Sequence, residues 1–221
     1  MNEPAPHIEI GNRRIATDAS PFVIAEIGVN HDGSIDRAVE LVDAAAEAGA
    51  DAVKFQWFEA ERLVGEGDST AAYQRRSGVT DQKSMLAGLE LSASEMSIVV
   101  EAAREAGVAS MVTVFSTELV EEARRLAWDA WKTASPDLVH RPLLEALAED
   151  GRPMFVSTGA ADLAEVERAN DWLAGRPVAF LHCVSAYPTP EDSAGLAGVG
   201  AIGEATGRPV GYSDHTAEET T

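Results

Sequence analysis

Residues 151–159, GRPMFVSTG, contain the phrase on which the reading of the fold turns. Gly151-Arg152-Pro153 follows a helical pattern and precedes a short apolar run. The same phrase returns as Gly175-Arg176-Pro177 before VAFLHCVS and as Gly207-Arg208-Pro209 before VGYSD. Glycine takes the left-handed conformation that ends a helix, and proline opens a strand where no ladder donor is needed. Gly49 before ADAVKFQ and Gly107 before VASMVTVFS do the same without the proline. The pattern is helix, stop, strand, repeated.

Working outward, the periodicity agrees. Ile35, Val39, Val42 and Ala46 fall on one helical face, as do Met96, Val99, Val100 and Ala103. Ser92 and Glu95 form a capping-box pattern ahead of the second set, and Ser34 or Asp36 can cap the first. Leu143, Leu144 and Leu147, then Leu163, Val166 and Leu173, then Leu196, Val199 and Ile202 mark three more helices. Strands are predicted near 22–27, 51–57, 109–115, 129–134, 153–158, 178–184 and 209–213. They are apolar throughout rather than alternating, as in parallel sheets covered on both faces. The opening HIEIGNRRIA differs: Ile8, Ile10, a GN turn and Ile15 predict a small hairpin.

Two folds compete for such a repeat. An open nucleotide-binding sheet should carry a glycine fingerprint after its first strand, and EIGVNHDGS at 26–34 lacks it. Polar residues instead recur at the C-terminal ends of the strands, where a barrel builds its site. The expected fold class is α/β, a TIM-type (β/α)8 barrel truncated after the seventh strand, with an N-terminal β-hairpin. The expected division is a hairpin over 1–20 and an incomplete barrel over 21–221.

Composition narrows the function. The 221 residues carry a formal charge of −20, which argues against nucleic acid, since phosphate backbones need a basic footprint. No apolar stretch is long enough to cross a membrane, and MNEPAPHIEI lacks the basic start and apolar run of an export signal, so a cytoplasmic protein is expected. The one cysteine, Cys183, excludes an internal disulfide. Against fourteen arginines there are three lysines, Lys54, Lys83 and Lys132, and two of them lie in strands.

A strand-borne lysine is costly unless paired. Either Lys54 and Lys132 pair with internal acids such as Glu26, or they hold a phosphate or carboxylate. Glu26, inside the apolar FVIAEIG, is either such a partner or a general acid-base group. Gln56 follows Lys54, and hydroxyls recur along the same rim: Thr113 and Ser116, Ser135, Ser157 and Thr158 beside Gly159, then Ser185 and Tyr187. Asn30, His31 and Asp32 read as a largely structural turn. His182 and Cys183 read as core. Ser213, Asp214 and His215 end the last strand, and one histidine alone cannot hold a metal. The long stretch 58–93 offers Tyr73, Gln74, Arg75 and Arg76 as ligand contacts.

In order, IAEIGVNHDGS, AGADAVKFQ, TVFS, WKTAS, VSTGA, HCVSAYPTP and GYSDHT resemble the sialic acid synthase family, which includes neuraminate, legionaminate and pseudaminate synthases and spore-coat polysaccharide relatives. The resemblance implies condensation of phosphoenolpyruvate with an N-acetylmannosamine-type sugar, with a divalent metal, Mn2+ or Mg2+, polarising the aldehyde. It implies that Lys54, Thr113, Lys132, Ser135 and Ser157 hold the phosphate and carboxylate of phosphoenolpyruvate. It assigns proton transfer to Glu26, making Glu26, Lys54 and Lys132 the catalytic set. Gln56, Ser185, Tyr187, Ser213 and Asp214 become substrate contacts, and His215 a metal ligand. Relatives add a second histidine in an ERHFT-like eighth strand, and a C-terminal antifreeze-like domain that reaches across a homodimer. Neither is in these 221 residues. Pro136 and His140 stand where relatives often have a small residue and an asparagine, and Ser185 replaces an asparagine of some neuraminate synthases. The alternatives are a non-catalytic barrel fragment that binds anions or another chain, and an unrelated phosphoenolpyruvate-using aldolase barrel.

Overall fold

The computed structural model describes residues 5–63 and 82–217, which form two compact units. One unit is Val23–Trp128 and the other joins Met1–Phe22 to Asp129–Thr221. In the first, β3 (Ile24–Gly28), β4 (Ala52–Trp57) and β5 (Ala109–Val114) pair in parallel and in chain order. Around them lie α1 (Ile35–Glu47), α2 (Ala60–Leu63), α3 (Gln82–Ala87), α4 (Ala93–Ala106) and α5 (Thr117–Arg124).

The second unit begins with the antiparallel hairpin of β1 (His7–Ile10) and β2 (Arg13–Ala16). Its parallel strands are β6 (Ala130–Thr133), β7 (Met154–Ser157), β8 (Val178–Cys183) and β9 (Val210–Ser213), again in chain order. Helices α6 (Arg141–Ala148), α7 (Leu163–Trp172) and α8 (Ala197–Thr206) connect them. Ile8 and Ile10 are buried, β1 lies against β8, and Phe22 stacks on Phe155 with ring centroids 6.3 Å apart. Every expected strand is present, displaced by no more than two residues.

The Gly-Arg-Pro phrase works as its chemistry dictates. Gly151, Gly175 and Gly207 take φ between 64° and 75°. Each proline lacks a donor but keeps its carbonyl. Trp131 N donates to Pro153 O at 2.9 Å, Met154 N to Pro177 O at 2.9 Å, and Phe180 N to Pro209 O at 3.0 Å. Two of the arginines reach backward along the chain. Arg152 lies 4.9 Å over the Trp131 ring and 3.2 Å from Asp150, while Arg208 donates to the carbonyls of Leu173 and Arg176 and to Asn170 Oδ1. Those carbonyls lie in the turn after α7, where the Leu173 carbonyl also accepts from Arg176 N at 3.1 Å.

The helix faces follow the sequence pattern with three corrections. Met96, Val99, Val100 and Ala103 are buried, and Ser92 and Glu95 form the capping box. Leu143, Leu144 and Leu147 are fully buried, each contributing roughly 1.5–3 kcal/mol. In α1, however, the buried positions are Ala38 and Val42, while Ile35, Val39 and Ala46 are only half-buried. Leu163 and Leu196 are 44% and 50% exposed. Both sit at a helix start, where the Cα–Cβ bond tilts back past the helix end instead of over the sheet.

Helix α8 provides a paired test. Gly200 has open space where a Cβ would be, so Gly200→Ala is expected to raise stability by about 0.5–1 kcal/mol. Gly207 caps the same helix at φ +64°, so Gly207→Ala is expected to lower it by about 1–2 kcal/mol. Urea unfolding of the two variants reads both signs.

Candidate functional site

In the unit Val23–Trp128, polar groups gather on β3, β4 and β5. Glu26 and Lys54 face each other in register, and Lys54 Nζ stands 2.5 Å from Glu26 Oε1. The lysine side chain is 4% exposed, its partner 58%. Burial pushes the Lys54 pKa down, and the Glu26 carboxylate opposes that shift. Pairing with an internal acid is therefore the arrangement found for Lys54.

The register slips between Glu26 and Gly28, leaving Ile27 as an extra residue opposite β4. Such a bulge re-aims the side chains beside it. Gly28 takes φ +57°, and a Cβ there would come within 3.1 Å of Glu26 Oε1 and 3.7 Å of Gln56 Oε1. Gln56 shares a face with Lys54, two residues away, and stands opposite Thr113, which is buried.

The turn after β3 is built as expected. Ser34 caps α1, Asp32 pairs with Arg37, and His31 is completely buried against Phe55, ring centroids 6.1 Å apart. His31 Nδ1 accepts from Gly33 N at 3.1 Å, while Nε2 finds no partner among the described residues. Burial pushes the His31 pKa below its usual 6.5.

The second unit carries its own cluster. Lys132 Nζ donates to Ser157 Oγ at 2.5 Å and to the Thr133 carbonyl at 3.0 Å. Ser135 Oγ accepts from Gly159 N at 3.2 Å and lies 3.2 Å from Cys183 Sγ. An ammonium and an amide N–H can only donate, so both serines are acceptors in these bonds and keep their own O–H protons to donate. That polarity suits an oxyanion. Asp137, five residues beyond Lys132, accepts from Ala134 N at 3.2 Å; burial raises its pKa, with that hydrogen bond, His140 and Lys132 opposing.

A third group ends β9. His215 Nδ1 donates to the Val184 carbonyl at 2.9 Å, and the ring lies 4.3 Å from that of Tyr187, a residue 77% exposed. The neutral ring thus has its lone pair on Nε2. Asp214 accepts from Thr216 N at 2.8 Å, Thr216 Oγ1 at 3.1 Å and the Tyr212 hydroxyl at 3.1 Å, and these bonds, led by the Thr216 amide, lower its pKa. Ser213 is paired with Cys183 across β9 and β8. His215 is the metal ligand that the resemblance assigns. Among the described residues no three His, Cys, Asp or Glu side chains assemble into a site for a metal ion. The described residues do not make up the Mn2+ or Mg2+ site that the resemblance implies, and no chemical step is assigned to it.

Cys183 is buried as expected, and its sulfur also lies beside Ser135 Oγ, a contact that sequence reasoning missed. It missed Asp137 and Gly28 as well, and singled out Gly159 only as a neighbour of the hydroxyls; these three carry no signature beyond their nearness to strand ends. Tyr73, Gln74, Arg75 and Arg76 lie outside the described residues.

Known proteins identify the class. A sialic acid synthetase from Leptospira borgpetersenii serovar Hardjo-bovis superposes with a TM-score of 0.86 at 29% identity, covering 96% of this chain and 71% of that one. The fold is accordingly an α/β barrel of the TIM type with an N-terminal hairpin. The NeuB family model matches residues 41–221, and the chain belongs to that family. It is 35% identical over 219 residues to the spore coat polysaccharide biosynthesis protein SpsE of Bacillus subtilis, covering 96% of this chain and 58% of that protein. It is 37% identical over 206 residues to the N,N'-diacetyllegionaminic acid synthase of Legionella pneumophila, covering 88% and 57%. The chain thus spans well under two thirds of the length of these two relatives. No helix of the described residues is long and apolar enough to cross a membrane.

Two measurements test the site. Lys54→Met is expected to leave stability unchanged or raise it, because an apolar chain replaces a buried ammonium and Glu26 stays hydrated. Glu26→Gln strands that ammonium and is expected to cost roughly 1–3 kcal/mol. The reverse order in urea unfolding would make Lys54 a structural residue. For His31, the lowered folded pKa means the unfolded chain takes up the proton first. Stability is expected to be complete above pH 6.5 and to fall as the pH drops below it; His31→Gln should lack that component.

Proposed function

We propose that the chain belongs to a sugar-acid synthase that condenses phosphoenolpyruvate with an N-acetylated amino sugar of the N-acetylmannosamine type, giving a nonulosonic acid and phosphate. The NeuB match over residues 41–221 carries this reading. Residues 21–221 serve as barrel domain behind the 1–20 hairpin, in a cytoplasmic enzyme that works as a homodimer.

The resemblance supplies the chemistry, and the groups described can serve it. Carbon 3 of the enol bonds to the aldehyde carbon of the sugar, whose oxygen takes up a proton. Water adds to the cationic carbon 2, and cleavage of its bond to the phosphate oxygen releases phosphate and leaves a ketone. Lys132, Ser135 and Ser157 hold the phosphate, their two hydroxyls donating because they already accept from Lys132 and Gly159. Lys54 and Thr113 take the carboxylate. Glu26, beside Lys54 and well exposed, transfers protons at the reacting carbons. Gln56, Ser185, Tyr187, Ser213 and Asp214 contact the sugar or the intermediate.

A lysine as buried as Lys54 supports the reading, since an apolar residue is expected to serve the fold as well. Thermal unfolding with increasing phosphoenolpyruvate tests it. The midpoint is expected to climb with the logarithm of ligand concentration above the dissociation constant. Lys132→Met should abolish the shift. A sharp transition that ignores phosphoenolpyruvate would overturn the proposal, while binding without sugar-dependent phosphate release would favour an anion-binding chain without turnover.

A further inference from the structure

We propose that Gly159 is a positioning residue of the phosphate-binding cluster, acting through the side chain it lacks. The inference rests on the reading of Ser135 and its neighbours as phosphate contacts. Gly159 follows β7 by two residues and is buried. A Cβ built on it would stand 2.5 Å from Ser185 Oγ, 2.7 Å from Ser135 Oγ and 3.0 Å from Cys183 Sγ. Side chains from two separate stretches of the chain, the Ser135 hydroxyl from one and the Cys183 thiol and Ser185 hydroxyl from the other, converge on the volume that any other residue would fill.

A backbone requirement does not explain this glycine. Its φ is not among the positive values found at the helix-ending glycines. Nor does close backbone approach explain it, because all three nearest atoms belong to side chains. Serine hydroxyls can turn to another staggered position at small cost. Alanine at 159 is therefore compatible with the fold and incompatible with the present directions of Ser135 and Ser185. The bond from Gly159 N to Ser135 Oγ occupies one lone pair and leaves that hydroxyl's proton to donate, to Cys183 Sγ or to a ligand. A Cβ would break this arrangement and leave the strand ladder intact. Ser135 would lose its donor geometry, and Ser185 its place beside it.

The test compares the chain with Gly159→Ala and, as a control remote from the cluster, Gly200→Ala, titrated with phosphoenolpyruvate and with inorganic phosphate. Gly159→Ala is expected to unfold within a few degrees of the parent without ligand, yet bind both probes at least tenfold more weakly; Gly200→Ala should bind like the parent. In a Ser185→Ala background the penalty of Gly159→Ala should shrink, because the nearest obstructing oxygen is gone. Unchanged affinity in Gly159→Ala overturns the inference and leaves the phosphoenolpyruvate reading standing. A parent chain that binds phosphate but not phosphoenolpyruvate overturns that reading, and the inference is then decided by phosphate affinity alone. Binding of neither probe overturns both. Should Gly159→Ala fail to fold, Ser135→Ala and Ser185→Ala decide: weaker binding in both supports the converging cluster, and parental affinity in both overturns it.

Discussion

Parallel strands cannot be joined by a tight turn, and this constraint organises the whole molecule. Each strand must be followed by a helix that carries the chain back to the starting edge of the sheet. Seven parallel strands therefore need a dependable way to stop a helix and restart a strand. The Gly-Arg-Pro phrase supplies it three times, with Gly49 and Gly107 doing so elsewhere. Within each unit every strand restarts at the same edge and so also ends at the same edge. That is why Thr113, Lys132, Ser157 and Ser213 come at or near C-terminal strand ends, while Glu26 and Lys54 lie mid-strand.

The fold was legible because its signals are local. A left-handed glycine and a donorless proline act within two or three residues, so strand positions read from them hold to within two residues. Side-chain burial was less legible where it depends on direction rather than period. Leu163 and Leu196 obey the helical spacing and are still exposed, because first-turn side chains lean past the helix end. In α1, which packs against α4, the buried positions are Ala38 and Val42, while Ile35, Val39 and Ala46 stay half-buried; the period was right and its phase was not.

The candidate site divides the same way. Glu26 and Lys54 were visible as charges inside apolar runs, and their pairing follows from strand register. The bulge at Ile27 was not visible, since one extra residue leaves no mark on an apolar pattern. Cys183 is buried as expected; its nearness to the Ser135 hydroxyl was not visible, because a thiol in a strand ordinarily behaves as a small apolar group. Gly159 was legible only as a letter beside two hydroxyls; what it makes room for comes from stretches separated by more than twenty residues on either side.

The arginine of the repeated phrase has an architectural consequence. Arg152 rests on the preceding strand's Trp131, and Arg208 binds the carbonyls of Leu173 and Arg176 in the turn after α7. A βα unit is thus not self-contained, because the residue that opens one unit is anchored in the unit before it. Recombination that cut the chain at these phrases would separate each arginine from its anchorage. Viable exchange points between homologous barrels should instead fall after the strands, where the next phrase has not yet begun.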